Sequence, residues 1–161
     1  MMGQTLALVL LLAVAAPALA AGPADEDAIR RIIAEGEAAA NGGKPVEPNI
    51  QPDVMFTNIF GTMFRGRAEW DARHRFLATD LFKGGKVKQT IHRIFFVRPD
   101  VALVLVETEI SGIRNLPPGG VAMAADGVLR TLGLNVFTKE AGTWVMAAWH
   151  NTDVKPPSAV R

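Results

Sequence analysis

Residues 56–74, FTNIFGTMFRGRAEWDARH, contain the change of periodicity on which the fold turns. Phe56, Asn58 and Phe60 alternate with Thr57 and Ile59 at strand spacing, Gly61 permits a tight turn, and Gly66 lets the chain swing from a second short strand into a helix. On that helix Trp70, His74, Leu77 and Leu81 recur on one face, which places an imidazole in the stripe that should point inward. An inward histidine beside an inward strand asparagine predicts one wall of a pocket.

Upstream, residues 24–41 have the pattern of an amphipathic helix. Asp25, Glu26 and Asp27 favour its positive end, Ile29, Ile32, Ile33, Gly36 and Ala40 form its apolar stripe, and Asn41-Gly42-Gly43 stops it. The segment KPVEPNIQPD, residues 44–53, carries three prolines and is expected to be a stiff loop. Downstream, apolar or alternating runs at 86–98, 101–112, 127–139 and 143–153 predict four strands. Pro99-Asp100 and Glu140-Ala141-Gly142 make hairpins, while the longer 113–126 connection, with Pro117-Pro118-Gly119-Gly120, is expected to be a flap or partner-contact loop. Helices first and an antiparallel meander afterwards is the α+β pattern.

The chain has 161 residues, 49% of them hydrophobic and 20% charged, with mean hydropathy +0.19, enough apolar material for one domain with a substantial core. Leu6–Ala16 is an unbroken apolar run followed by Pro17 and Ala18-Leu19-Ala20. This is the pattern of a secretory signal peptide cleaved between Ala20 and Ala21, giving a leader at 1–20, a domain at 21–153 and a flexible tail at 154–161. The expected location is secreted or periplasmic, with no stable membrane association after cleavage. There are no cysteines, so neither disulfides nor thiolate chemistry are available. A net charge of +1, with only Lys83, Lys86 and Lys88 clustered, argues against nucleic-acid binding.

The Ala-rich first helix ending at Asn-Gly, then NIFGTMFRGR at 58–67, RPDVALV at 98–104 and AAWHNTD at 147–153 together resemble the SnoaL-like (SgcJ/EcaC-type) group of the nuclear transport factor 2-like superfamily, over nearly all of the mature chain. That resemblance implies a cone-shaped α+β barrel, with N-terminal helices packed on a curved, mostly antiparallel sheet, often dimeric through the sheet. It also implies relatives such as ketosteroid isomerases, cyclases and dehydratases beside many members with no assigned reaction. The proline-rich 44–53 segment stands where such proteins usually carry a short second helix. The oxidoreductase label sometimes given to the group finds no glycine-rich dinucleotide fingerprint here, and no cofactor is expected.

His74, His92 and His150 lie on a helix and two separate strands without ligand-type spacing, so no metal site is expected. His74 and His150 are the candidate general acid or base, although a histidine on an apolar stripe also fits a satisfied core position. Candidate ligand-binding residues are Phe56, Asn58, Phe60, Trp70, Arg130 and Asn151, with Asn58 and the Trp70 indole as donors to an oxyanion. Strand parity allows only one of His150 and Asn151 to point inward, and Arg130 either binds an anionic group inside or pairs outside. Glu107 and Glu109 share one strand face, where a solvent or dimer address is expected. Three readings follow: an exported small-molecule-binding protein with an apolar pocket for a carbonyl-containing or aromatic ligand; an isomerase- or cyclase-type enzyme with a histidine base; and a dimeric adaptor using the outer sheet face.

Overall fold

The computed structural model describes residues 21–44, 49–113 and 124–154. The expected leader, residues 45–48 of the proline-rich segment, most of the 113–126 connection and nearly all of the tail lie outside the described residues. The element order is α1 (Pro23–Asn41), β1 (Ile50–Thr57), β2 (Met63–Arg65), α2 (Gly66–Phe76) with a π-helical turn at Leu77–Leu81, β3 (Lys86–Arg98), β4 (Val101–Ser111), β5 (Leu129–Glu140) and β6 (Thr143–Asp153). The six strands form one sheet in the order β2-β1-β6-β5-β4-β3, antiparallel except for the β1/β6 pair.

The α+β expectation and the four long strands hold. One local expectation does not: the stiff loop of 44–53 gives way to a strand already at Ile50, with Pro52 inside it. Pro52 is tolerated because the β1/β6 ladder skips from the Ile50/Met146 pair to Met55/Ala148, and β2 pairs only from Met55 onward. The missing N–H therefore falls where it has no ladder bond to make.

Alternation sets the two faces of the sheet. On β4 the even residues Ala102, Val104, Val106, Thr108 and Ile110 are buried, and they lie opposite the odd residues Phe137, Asn135, Gly133, Thr131 and Leu129 of β5. Helix α1 crosses this inner face and is pinned at both ends. At its start Asp25 accepts from Lys139 Nζ at 2.6 Å, from the Trp144 indole N–H at 2.9 Å and from the Gly22 N–H at 3.2 Å. At its end the Asn41 amide exchanges two 2.8 Å bonds with the backbone of Val87, and Glu37 accepts the Gln89 N–H, so helix side chains occupy edge groups of β3.

Between these anchors the filling is uneven. Ile29, Ile32 and Ile33 pack into a cluster with Ile50, Val54, Val104, Phe137, Trp144 and Met146. One to two turns later the stripe shrinks to Gly36 and Ala40, which leave the inner face under the end of α1 open.

Candidate functional site

A two-lobed cavity occupies that open half. The sheet-side lobe, about 120 Å³, is walled by Phe56, Ile59, Leu77, Phe82, Val87, Ile110, Leu129 and Trp149, with Asn58, Arg73, His74, Gln89, Thr108, Thr131 and Asn151 interspersed. The second lobe, about 210 Å³, runs between the end of α1 and the Gly84-Gly85 turn, and the two share Gly36, Ala40, His74, Leu77, Phe82 and Val87. His74 stands at their junction.

The strand-turn-helix stretch builds this wall in three steps. Asn58 ends β1: its side-chain oxygen accepts the N–H groups of Phe60 at 2.9 Å and Thr62 at 3.0 Å, while Gly61 takes φ +77° in the turn. Gly66, at φ +72° and with Pro52 O only 3.2 Å from where a Cβ would stand, starts α2. Helix α2 then lays His74 on Trp70, ring centroids 4.1 Å apart and nearly parallel, and against Phe56 at 5.4 Å. The π-helical turn that follows gives Leu77 and Phe82 their places in the cavity wall.

His74 Nδ1 lies 2.9 Å from the Trp70 carbonyl, which can only accept, so Nδ1 carries the proton and Nε2 presents a lone pair. Among the described residues Nε2 is buried without a hydrogen-bond partner. Burial pushes the imidazole pKa down to about 4, with the nearby Arg73 charge acting in the same sense. Arg73 is the next unusual group. Its guanidinium rests 5.8 Å from the Phe64 ring centroid and 5.6 Å from that of Phe76, its Nε is buried without a partner among the described residues, and burial lowers its pKa.

Beside this wall, Trp149 and Asn151 rise from the inner face of β6, the Trp149 ring stacked 6.0 Å from that of His74. The Trp149 indole can lie where it does because Gly133 has no side chain: a Cβ there would stand 2.3 Å from Trp149 Nε1. Trp149 Nε1 and Asn151 Oδ1 are likewise buried and unpartnered.

The placements sort the sequence candidates. Phe56, Asn58, His74 and Asn151 meet at the cavity, and parity is resolved in favour of Asn151. Trp70 is fully buried behind His74, touching Phe56 and Trp149 and absent from the cavity lining. Three candidates lie elsewhere. His150 points to the outer face, in register with Leu134 and Thr57. Phe60 is 45% exposed, because the Asn58-capped turn ends the strand before the alternation reaches it. Arg130 is on the outer face, held by Glu109 at 3.0 Å and Asp126 at 2.8 Å. Glu107 is outward too, 2.7 Å from His92 Nε2.

Arg73 was not among the sequence candidates, although its place beside His74 and three residues after Trp70 puts it on the margin of the same stripe. Thr108 and Thr131 interrupt apolar inward alternation, a signal readable only once strand parity is known. No aspartate or glutamate is among the described residues lining either lobe, and no group of three or more metal-type ligands occurs among the described residues. No described helix is long and apolar enough to cross a membrane.

No family model and no curated protein sequence matches the chain. Solved structures do. An uncharacterized protein with a cystatin-like fold from Caulobacter vibrioides is 26% identical, with TM-score 0.72 over 83% of this chain and 92% of that one. A nuclear transport factor 2-like protein of unknown function from Pseudomonas putida is 13% identical, with TM-score 0.64 over 88% and 94%. The hexachlorocyclohexane dehydrochlorinase LinA, type 2, is 11% identical, with TM-score 0.65 over 83% and 95%. The fold thus houses proteins of unknown function and at least one enzyme. Helices on one face of a six-stranded mixed sheet, together with these likenesses, make this a nuclear transport factor 2-like, or cystatin-like, α+β fold.

Proposed function

We propose that this is an exported small-molecule-binding protein of the SnoaL-like kind, which holds a ring-bearing, carbonyl-containing ligand in the two-lobed cavity. One observation carries the reading. Arg73, His74, Trp149 and Asn151 each bring a buried, unpartnered polar atom to the walls of a chamber that is otherwise mostly apolar. Such an atom costs about 1–3 kcal/mol when left unpaired, so four around one cavity favour a ligand that supplies their partners. The sheet-side lobe, at about 120 Å³, is close to the ~150 Å³ of an apolar cavity known to admit benzene.

Catalysis by a histidine base is less well supported. No described carboxylate lines the cavity to raise the basicity of His74, and an imidazole with a pKa of about 4 is a weak base at neutral pH. The test is a panel of monocyclic aromatic carbonyl compounds followed by tryptophan fluorescence, with His74→Leu and Asn151→Leu compared with the parent. Expected is loss of binding in both variants with folding retained. Undiminished binding in both would move the site elsewhere, and turnover with a pH profile that shifts in the His74 variant would favour the enzyme.

The outer sheet face supports a homodimer. Phe95, Leu103, Val136, Ala148 and Met55 lie in one continuous register row across five strands. Phe95 is 48% exposed and Met55 63%. Both signs of charge, Arg93, Glu107, Lys88 and Glu109, lie toward one side of this belt, so a two-fold axis can set acid against base. A second copy is the occupant proposed. Leu134→Arg should convert a sedimenting dimer to monomer, whereas a parent that sediments as a monomer, with an unrelated protein on this face, would instead favour the adaptor.

A further inference from the structure

Arg73 says more about the ligand than the pocket alone does. Among the described residues its guanidinium has no carboxylate partner: the neighbouring Asp71 is engaged with Arg67 at 2.8 Å, and Glu69 with the Arg65 N–H at 2.7 Å. Phe64 and Phe76 flank the cation, its Nε is buried, and it lines the sheet-side lobe together with Asn58 and Asn151. A half-buried arginine that binds no protein anion offers a planar fork matched to a carboxylate. Nearby, His74 Nε2 and Asn151 Oδ1 are buried acceptors, a pair suited to a hydroxyl that donates.

We infer that the ligand is a monocyclic aromatic carboxylate carrying a ring hydroxyl, with its carboxylate on Arg73, its ring against Phe56 and Trp149, and its hydroxyl donated to His74 Nε2 or Asn151 Oδ1. This rests on the pocket reading and narrows it from any ring-bearing carbonyl compound to an anion.

The test uses two probes of the same shape and different charge, 4-hydroxybenzoate and 4-hydroxybenzamide, titrated against the full mature chain by calorimetry at pH 7.5. Expected is at least about tenfold tighter binding of the acid, as befits a hydrogen bond to a charged group removed from water. Arg73→Gln should weaken the acid far more than the amide and so abolish that preference, and Arg73→Lys should restore part of it. Benzoate without the hydroxyl should bind more weakly than 4-hydroxybenzoate. Equal binding of acid and amide by the parent, or tighter binding of the amide, overturns the inference and leaves the pocket reading standing. If neither probe binds the parent, both fall. The comparison within the parent decides the matter even if Arg73→Gln does not fold.

Discussion

The burial of His74 as a neutral ring predicts a specific loss of stability in mild acid. Its pKa is about 4 in the folded chain and about 6.5 when unfolded, so between these values the unfolded chain takes up a proton that the native site resists. The sign follows directly: stability is complete above pH 6.5 and falls as the pH drops toward 4. At pH 5 the deficit relative to pH 7.5 is about 1.36 kcal/mol for each of the 1.5 units below 6.5, or ~2 kcal/mol. His74→Phe removes the titrating group while keeping an aromatic ring to stack on Trp70, and the adjoining cavity gives the larger ring room. It forfeits the Nδ1 bond to the Trp70 carbonyl but relieves the unpartnered Nε2, so at pH 7.5 the variant should be at least as stable as the parent. Urea unfolding at pH 7.5 and pH 5 measures both effects. With an m-value near 2 kcal/mol/M the parent's midpoint should fall by ~1 M more than the variant's over that interval. Every other titratable group is common to the two proteins, so the difference of differences isolates His74. Equal losses in the two proteins would refute the account, because they would mean that His74 is protonated as easily in the native chain as in the unfolded one.

Gly133→Ala should cost roughly 1–3 kcal/mol and alter tryptophan fluorescence, because its Cβ meets the Trp149 indole 2.3 Å away; Trp149→Leu in the same chain should recover much of the loss, and a neutral effect in the single variant would mean the indole is free to move. The Lys139 and Trp144 bonds hold the Asp25 carboxyl at about 2, below its ordinary 3.8, so it contributes about 2 kcal/mol that is present above pH 4 and lost as the pH falls through 2. Asp25→Asn should therefore lower the urea midpoint at pH 7 and flatten the acid limb, and a variant with an unchanged acid limb would contradict the α1 anchor. Asn58→Ala removes the acceptor of two backbone N–H groups and should cost about 1–2 kcal/mol in urea unfolding; full stability would show that the turn holds without it.

Export, dimerisation and ligand chemistry are separable from these folding predictions. The first can be checked by the N-terminal sequence of the secreted or periplasmic protein, expected to begin at Ala21.

Local pattern was sufficient for most of the architecture. The period of two in residues 86–112 and 129–153, the period of 3.6 in 24–41 and 66–81, and the glycines at 61 and 66 each depend on neighbouring residues alone, and the structure follows them closely. Pro52 inside β1 was not legible, because its tolerance depends on a skipped register in the ladder with a strand some ninety residues away. His74 and Asn151 could be named from sequence as inward candidates. That they line one cavity, and that His150 and Arg130 turn outward, depends on which face of each strand the helices cover. Parity is a property of the sheet and not of the strand. Phe56 to His74 thus announced a pocket wall on its own, while Arg73 as its cation, Gly133 as the gap that seats Trp149, and Gly36 and Ala40 as its open ceiling became visible only when distant segments were packed together. A cavity is what packing leaves unfilled, and no single segment encodes it.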